Sequence, residues 1–248
     1  MQNNIQELYQ RFNEIKNTGY IKEAFPYNKG NSGLTFEKAL GKQIDCFQFA
    51  DFEEIEIKVK NFFAEKSIGL FSLVPSNSFG IKLNYIREKY GYYDNYYTNK
   101  KIFIRIISAK KYNSTNNKFF FKLNVSYEDK KIYLNVYNIK NKIIDTPVYW
   151  DFDDINGAIE RKLKTIAIIN YKDKIVNNER FFYYNKITFF EFRGTNVFYK
   201  LIEEGIITIN FCLTIHRSGI KKGKNHDCGV IFKINQDNFN KLYKEIIL

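Results

Sequence analysis

The chain has few of the residues that staple, kink or anchor a protein. Its three cysteines, Cys46, Cys212 and Cys228, are odd in number, widely spaced and without a CxxC pair. That argues against a disulfide framework or a structural zinc site, and for a reducing compartment. Proline (3) and glycine (13) are scarce, and no internal repeat or low-complexity linker interrupts the 248 residues. No apolar run approaches transmembrane length, and the polar start MQNNIQELYQRF lacks signal-peptide character. A cytoplasmic chain with no membrane partner is expected. No GxSxG elbow occurs, which counts against a Ser–His–Asp or Cys–His hydrolase.

Positive charge is present in excess. Thirty-nine basic residues against 27 acidic ones give a formal charge of +12. Such a surplus suits a polyanionic partner, because lysines and arginines that neutralise phosphates release condensed counterions. With 24 Phe, 19 Tyr and 44% hydrophobic residues, the chain can bury one large domain or two lobes sharing a cleft.

The chain is organised around residues 28–60. A glycine-punctuated turn leads to a short helix that Asn31 or Ser32 can cap, with Phe36, Ala39 and Leu40 as its apolar stripe and Gly41 as its stop. The run Glu54–Val59 then alternates. Ile55, Ile57 and Val59 point to one face, Glu56 and Lys58 to the other, with Asp51 where the strand begins. Two carboxylates and a lysine on one exposed strand end suit Mg²⁺ and a hydrolytic water held against a phosphate. Alone, EIEIKVK is more often an ordinary half-exposed strand; Asp51, and Glu37 on the preceding helix, strengthen the catalytic reading.

Elsewhere, apolar spacing predicts helices over 3–17, 81–90, roughly 154–163, 196–204 and 237–246. Alternation predicts strands over 102–109, 119–128, 131–139, 180–192, 206–219 and 230–236, with 119–139 a hairpin. SIGLFSLVP (67–75) is expected to pair with the Glu56 strand. LKTIAIINY (163–171) reads as a strand covered on both faces. The tyrosine-rich run 90–101 reads as a polar rim over a core, with stacking on bases as its less favoured use. Asp151, Asp153 and Asp154 read as helix-start acids.

A second chemical stretch, HRSGIKKGKNHDCGVIFKIN (216–235), holds both histidines, His216 and His226. Arg217, Lys221, Lys222 and Lys224 offer charge to DNA phosphates. His226, Asp227 and Lys233 offer donors and acceptors to base edges in the major groove. A solvated basic loop is the plainer alternative, and a His/Asp zinc site is disfavoured by the ligand spacing.

Four blocks, GNSGLTFEKALG (30–41), ADFEEIEIKVK (50–60), PVYWDFDDINGAIERKLKTIAII (147–169) and the stretch 216–235, resemble the MvaI/BcnI group of type II restriction endonucleases. That group is related to the mismatch-repair nickase MutH and uses a PD-(D/E)xK centre. The resemblance runs in order along nearly the whole chain. It places the metal-dependent motif on Asp51, Glu56 and Lys58, the family's helical glutamate on Glu37, and a metal-ligating carbonyl on Ile57. The turn before Glu37 is shorter than the family pattern, and Lys233 stands where the family has arginine.

The resemblance implies an α/β (α+β) bilobed restriction-endonuclease-like fold, a mixed sheet flanked by helices with a DNA cleft between lobes. The texture of the chain changes after Lys172, which places the boundary between a catalytic lobe over 1–172 and a recognition lobe over 173–248. The resemblance further implies a monomer that uses Mg²⁺ to cut duplex DNA at a short, nearly palindromic CC-central-GG site, in a bacterium with a cognate DNA methyltransferase. A MutH-like nickase and a non-catalytic duplex-DNA-binding module are the rival readings.

Overall fold

A computed structural model describes residues 2–26, 30–41, 50–61, 66–78 and 81–248, without the side chains of Ile81 and Cys228. Cys46 and the Gly80 end of the loop after Pro75 lie outside the described residues. The chain forms two compact units that alternate along the sequence. The first comprises Met1–Lys66, Ile159–Arg193 and Asn240–Leu248; the second comprises Ser67–Ala158 and Gly194–Phe239.

The first unit is built on a mixed sheet. Its strands lie in the order Ile21–Lys22, Glu179–Phe192, Thr165–Val176, Ile55–Lys60, and Tyr243–Ile246 also pairs with Glu179–Phe192. Among the described strands of this sheet, only Thr165–Val176 against Ile55–Lys60 is parallel. Helix Gln2–Asn17 realises the three-and-four spacing, burying Ile5, Leu8, Phe12 and Ile15. These side chains join Phe36, Ile55, Ile57, Ala167, Ile169 and Phe189 in one apolar cluster. Full burial of each Ile, Leu or Phe among them stabilises by roughly 1.5–3 kcal/mol. Both helices of this cluster therefore cover one sheet face, the face away from Glu56 and Lys58.

The second unit holds a five-stranded and a four-stranded sheet. In the first, Ser67–Ser72, Asn225–Asn235, Ile207–Ile215, Lys101–Ile107 and Tyr92–Tyr93 lie side by side. In the second the order is Asn113–Thr115, Phe119–Ser126, Lys131–Tyr137, Ile143–Asp151. Trp150 is fully buried against Phe211 and Phe232, and its Nε1 donates to the Leu73 carbonyl at 3.1 Å.

Three local expectations are corrected. Ser67–Ser72 pairs with Asn225–Asn235 and sits in a different sheet from the Glu56 strand. The segment 237–246 is a short helix, Phe239–Leu242, followed by strand Tyr243–Ile246. Helix Asn31–Ala39 has neither proposed side-chain cap: its N-cap is Gly30, in the left-handed region at φ 83°, while Ser32 is buried and Ala39 exposed. A glycine adopts that conformation without strain, so it takes the position a capping side chain would otherwise hold.

Candidate active site

A tight turn assembles the acidic centre. Phe52 and Ile55 exchange backbone hydrogen bonds at 3.0 and 2.7 Å, with Glu53 in the left-handed region at φ 50°. The chain thereby doubles back before the strand begins, and Asp51 Oδ2 accepts the Ile57 N–H at 3.0 Å. Asp51 is thus placed laterally beside Glu56 and Ile57, which sequence separation alone does not reveal.

Glu56 is 3% exposed, so the strand end is less open than alternation predicts. Its parallel neighbour in the sheet, Thr165–Ile169, is itself buried. Glu56 Oε1 lies 2.5 Å from Lys58 Nζ, and Oε2 lies 3.8 Å from Lys162 Nζ. Burial pushes the Glu56 carboxyl above the ordinary glutamate value, an effect that the charge of Lys58 opposes and that of Asp51 reinforces. Oε2 is buried with no hydrogen-bond partner. A buried carboxylate oxygen left so is costly unless something binds it.

The donor set fits a hard divalent cation: two carboxylates converge, and one presents an unsatisfied oxygen. Among the described residues no group of three or more His, Cys, Asp or Glu is placed to hold a metal. Asp51 and Glu56 are the carboxylates that the described residues bring together here. Glu37 is half-buried beside Phe36, whose ring packs edge-on against Tyr184 at 4.9 Å.

Sequence reasoning missed two neighbours of Glu56. Lys162 closes helix Phe152–Lys162, where a cation also suits the negative helix end. Tyr243 is buried; burial and the charge of Glu56 both push its phenol far above the usual range. The RKLK string offered a signal for Lys162. Nothing local marked Tyr243, which arrives through the strand after the last helix.

The second unit orders the basic loop. His216 N–H donates to the Lys224 carbonyl at 2.9 Å and Gly223 N–H to the His216 carbonyl at 2.8 Å, closing the loop base. The His216 and His226 rings stack at 3.9 Å with planes 14° apart. Burial lowers the His216 pKa, and the charges of His226 and Lys221 lower it further. Lys221, Lys222 and Lys224 are exposed.

Arg217 is held from the side. Its Nη2 lies 2.7 Å from the Asp94 carboxylate, and its guanidinium sits 5.1 Å and 5.5 Å from the centroids of Tyr96 and Tyr97. The tyrosine-rich run is thus a brace for the loop. Strand registers place His226 and Lys233 on one sheet face, with Thr214 and Thr208 as partners. Asp227 lies on the other face, opposite Leu213, and Nη1 of the buried Arg87 donates to its Oδ1 at 3.1 Å. An extra residue between Asp227 and Val230 causes this change of face. Gly229 permits it, at φ 98° with Ser72 Oγ 2.7 Å from where a Cβ would stand.

The sequence matches the model of the MvaI/BcnI restriction endonuclease family over residues 9–243. No curated protein sequence matches it. A solved complex of restriction endonuclease MvaI with its cognate DNA substrate is similar at 29% identity and TM-score 0.89, covering 100% of both chains. MvaI solved in the absence of DNA is similar at 26% identity and TM-score 0.62, covering 100% of this chain and 99% of that one. With a mixed sheet carrying Asp51, Glu56 and Lys58 and a family match spanning nearly its whole length, the chain belongs to the MvaI/BcnI restriction endonuclease family and is a site-specific nuclease.

Proposed function

We propose that the chain hydrolyses phosphodiesters of duplex DNA at a short, nearly palindromic site of the CC-central-GG type, with Mg²⁺ as cofactor. One observation carries this reading: a buried glutamate with an unsatisfied oxygen, flanked by Asp51 and bridged to Lys58, on one strand end. The relative solved with cognate DNA supports duplex DNA as the partner. Asp51, Glu56 and the Ile57 carbonyl are the groups that would hold the metal. When bound, the ion polarises the phosphoryl oxygen and acidifies water.

The side chains supply the rest. Lys58, anchored on Glu56 Oε1, orients the attacking water and stabilises charge developing on phosphorus. Water oxygen bonds to phosphorus, the bond to the 3′ oxygen breaks, and the products carry 5′-phosphate and 3′-hydroxyl ends. Glu37 serves as an outer orienting group. In this reading the cutting residues fall within 1–172. The base-reading residues His226 and Lys233, which share a sheet face, fall within 173–248, with Asp227 on the opposite face and His216, Arg217, Lys221, Lys222 and Lys224 toward the DNA backbone. The enzyme is a monomer, and a cognate methyltransferase protects the host site.

The test is digestion of plasmid by wild type, Lys58→Ala and Glu56→Ala in Mg²⁺, with sequencing of the ends. Wild type alone should give one defined cut, and both variants none while still retaining duplex in Ca²⁺. Full activity of both variants would overturn the assignment; cutting only with an added partner protein would favour a nickase.

A further inference from the structure

The sheet face that carries Glu56 and Lys58 continues well past them. Cα partners across a ladder share a face, so the registers extend it residue by residue. Glu56 faces Ile166, Lys58 faces Ile168, and Lys60 faces Asn170. On the next strand Lys186 stands opposite Asn170. Beyond an irregularity at Asn185, Lys172 pairs with Tyr183 and Lys174 with Phe181 on the same face. Tyr20, just before the short edge strand, closes the row, its ring 5.5 Å from that of Tyr183.

The character of the face changes along its length. Ile166 and Ile168 are buried near Glu56, whereas Lys172, Lys174 and Lys186 are all exposed. Lys174 Nζ sits 4.0 Å from the Tyr20 ring centroid. Neither Lys172 nor Lys186 has a carboxylate partner among the described residues. Glu179, near the hairpin tip, is neutralised by Lys22 at 2.5 Å. Asn170 Oδ1 and Asn185 Oδ1 are buried without hydrogen-bond partners, so this row is left chemically incomplete.

We propose that this stripe, centred on Lys172, Lys174 and Lys186, is a track for the sugar-phosphate backbone of duplex DNA outside the site being cut. The proposal rests on reading Glu56 and Lys58 as the cutting centre, since that fixes where the duplex enters the face. The occupant follows from charge and continuity: cations and aromatic rings share one strand surface with the residues that meet the scissile phosphate. Length agrees. Four residues from Glu56 to Lys60, and four more from Asn170 to Lys174, span roughly 25 Å. That is about seven base pairs of duplex, beyond the reach of a short recognition site. The track is blind to sequence, because lysines on phosphates position a duplex without reading it.

The experiment is equilibrium binding of a labelled 30-bp duplex of mixed sequence, in Ca²⁺ without Mg²⁺, at salt from 50 to 200 mM. The full-length chain is compared with a triple variant, Lys172→Gln/Lys174→Gln/Lys186→Gln. A second triple variant, Lys118→Gln/Lys140→Gln/Lys142→Gln, removes the same charge from exposed positions elsewhere. Each phosphate contact contributes about 0.9 to the slope of log K against log salt, so the stripe variant should lose about 2.7 units. At the low-salt end its affinity should fall about 40-fold more than at the high-salt end. The control should keep the wild-type slope. An unchanged slope in the stripe variant, or an equal loss in the control, overturns the track. Thermal melting verifies that each variant folds. Retained cleavage by Lys58→Ala would instead remove the underlying catalytic reading, whatever the slopes show.

Discussion

Glu56 holds opposing requirements in one side chain. Burial raises its pKa above the ordinary glutamate value of 4.5, while the proposed metal-holding role needs it ionised. The folded chain binds that proton more tightly than the unfolded chain, so stability falls as pH rises from 4.5 through the raised value. Glu56→Gln removes the penalty. In EDTA it should melt above wild type at pH 8, the difference closing toward pH 4.5, while cleavage in Mg²⁺ disappears. A lower melting temperature at pH 8 would contradict the burial argument. Asp94 has the opposite sign. Burial pushes its pKa up, but the hydrogen bond from Arg217 and the backbone N–H groups of Tyr96 and Tyr97 outweigh it, and the net shift is downward. Its contribution is therefore present above the ordinary aspartate value and is lost as pH falls through the lowered one. Arg217→Ala removes the counter-charge of this 2%-exposed carboxylate and should cost about 1–3 kcal/mol in urea denaturation at pH 7. Arg217→Lys, retaining charge, separates that structural loss from any loss of DNA affinity.

At the scale of elements, what repeats locally was legible and what depends on distant partners was not. Helix Gln2–Asn17 follows from Ile5, Leu8, Phe12 and Ile15, and the hairpin Phe119–Ser126/Lys131–Tyr137 from alternation around a short link. The partner of Ser67–Ser72 is Asn225–Asn235, far along the chain, and period-two alternation says nothing of which strand lies beside which. The same blindness hid the burial of Glu56, because exposure of a strand face depends on what covers it. Tyr243 and Asp94 were missed for that reason, both acting across long sequence separations. The candidate centre was proposed from Asp51, Glu56 and Lys58 because they fall within eight positions, and the structure brings Asp51 beside Glu56 and Ile57. Some joints are sharply constrained by sterics. Gly91 ends helix Ile81–Tyr90 with its N–H on the Arg87 carbonyl at 2.9 Å. A Cβ there would stand 2.2 Å from the Arg87 oxygen and 2.6 Å from the Ile102 oxygen. Both are backbone atoms that cannot swing aside, so Gly91→Ala should destabilise by about 1–3 kcal/mol. Equilibrium unfolding checks it, and a cost near zero would mean the joint relaxes freely.

For the whole molecule the proposed function sets one cutting centre per chain against two strands per duplex. In the proposed reading the cutting residues Asp51, Glu56 and Lys58 sit together on a single strand end of the first unit. A monomer can therefore break one phosphodiester per engagement and must engage the site twice to linearise a circle. The net charge of +12 favours keeping the nicked product close between the two events, because phosphate neutralisation is strong at low salt and weakens as salt rises. Supercoiled plasmid with a single site should consequently pass through an open-circular intermediate. That intermediate should accumulate more at 200 mM than at 50 mM salt, when dissociation competes with the second cut. Its peak fraction should be independent of enzyme concentration once enzyme exceeds DNA. Gel electrophoresis of a quenched time course reads all three quantities. Direct conversion to linear product, with a rate that rises as the square of enzyme concentration, would show instead that two chains act together on the two strands.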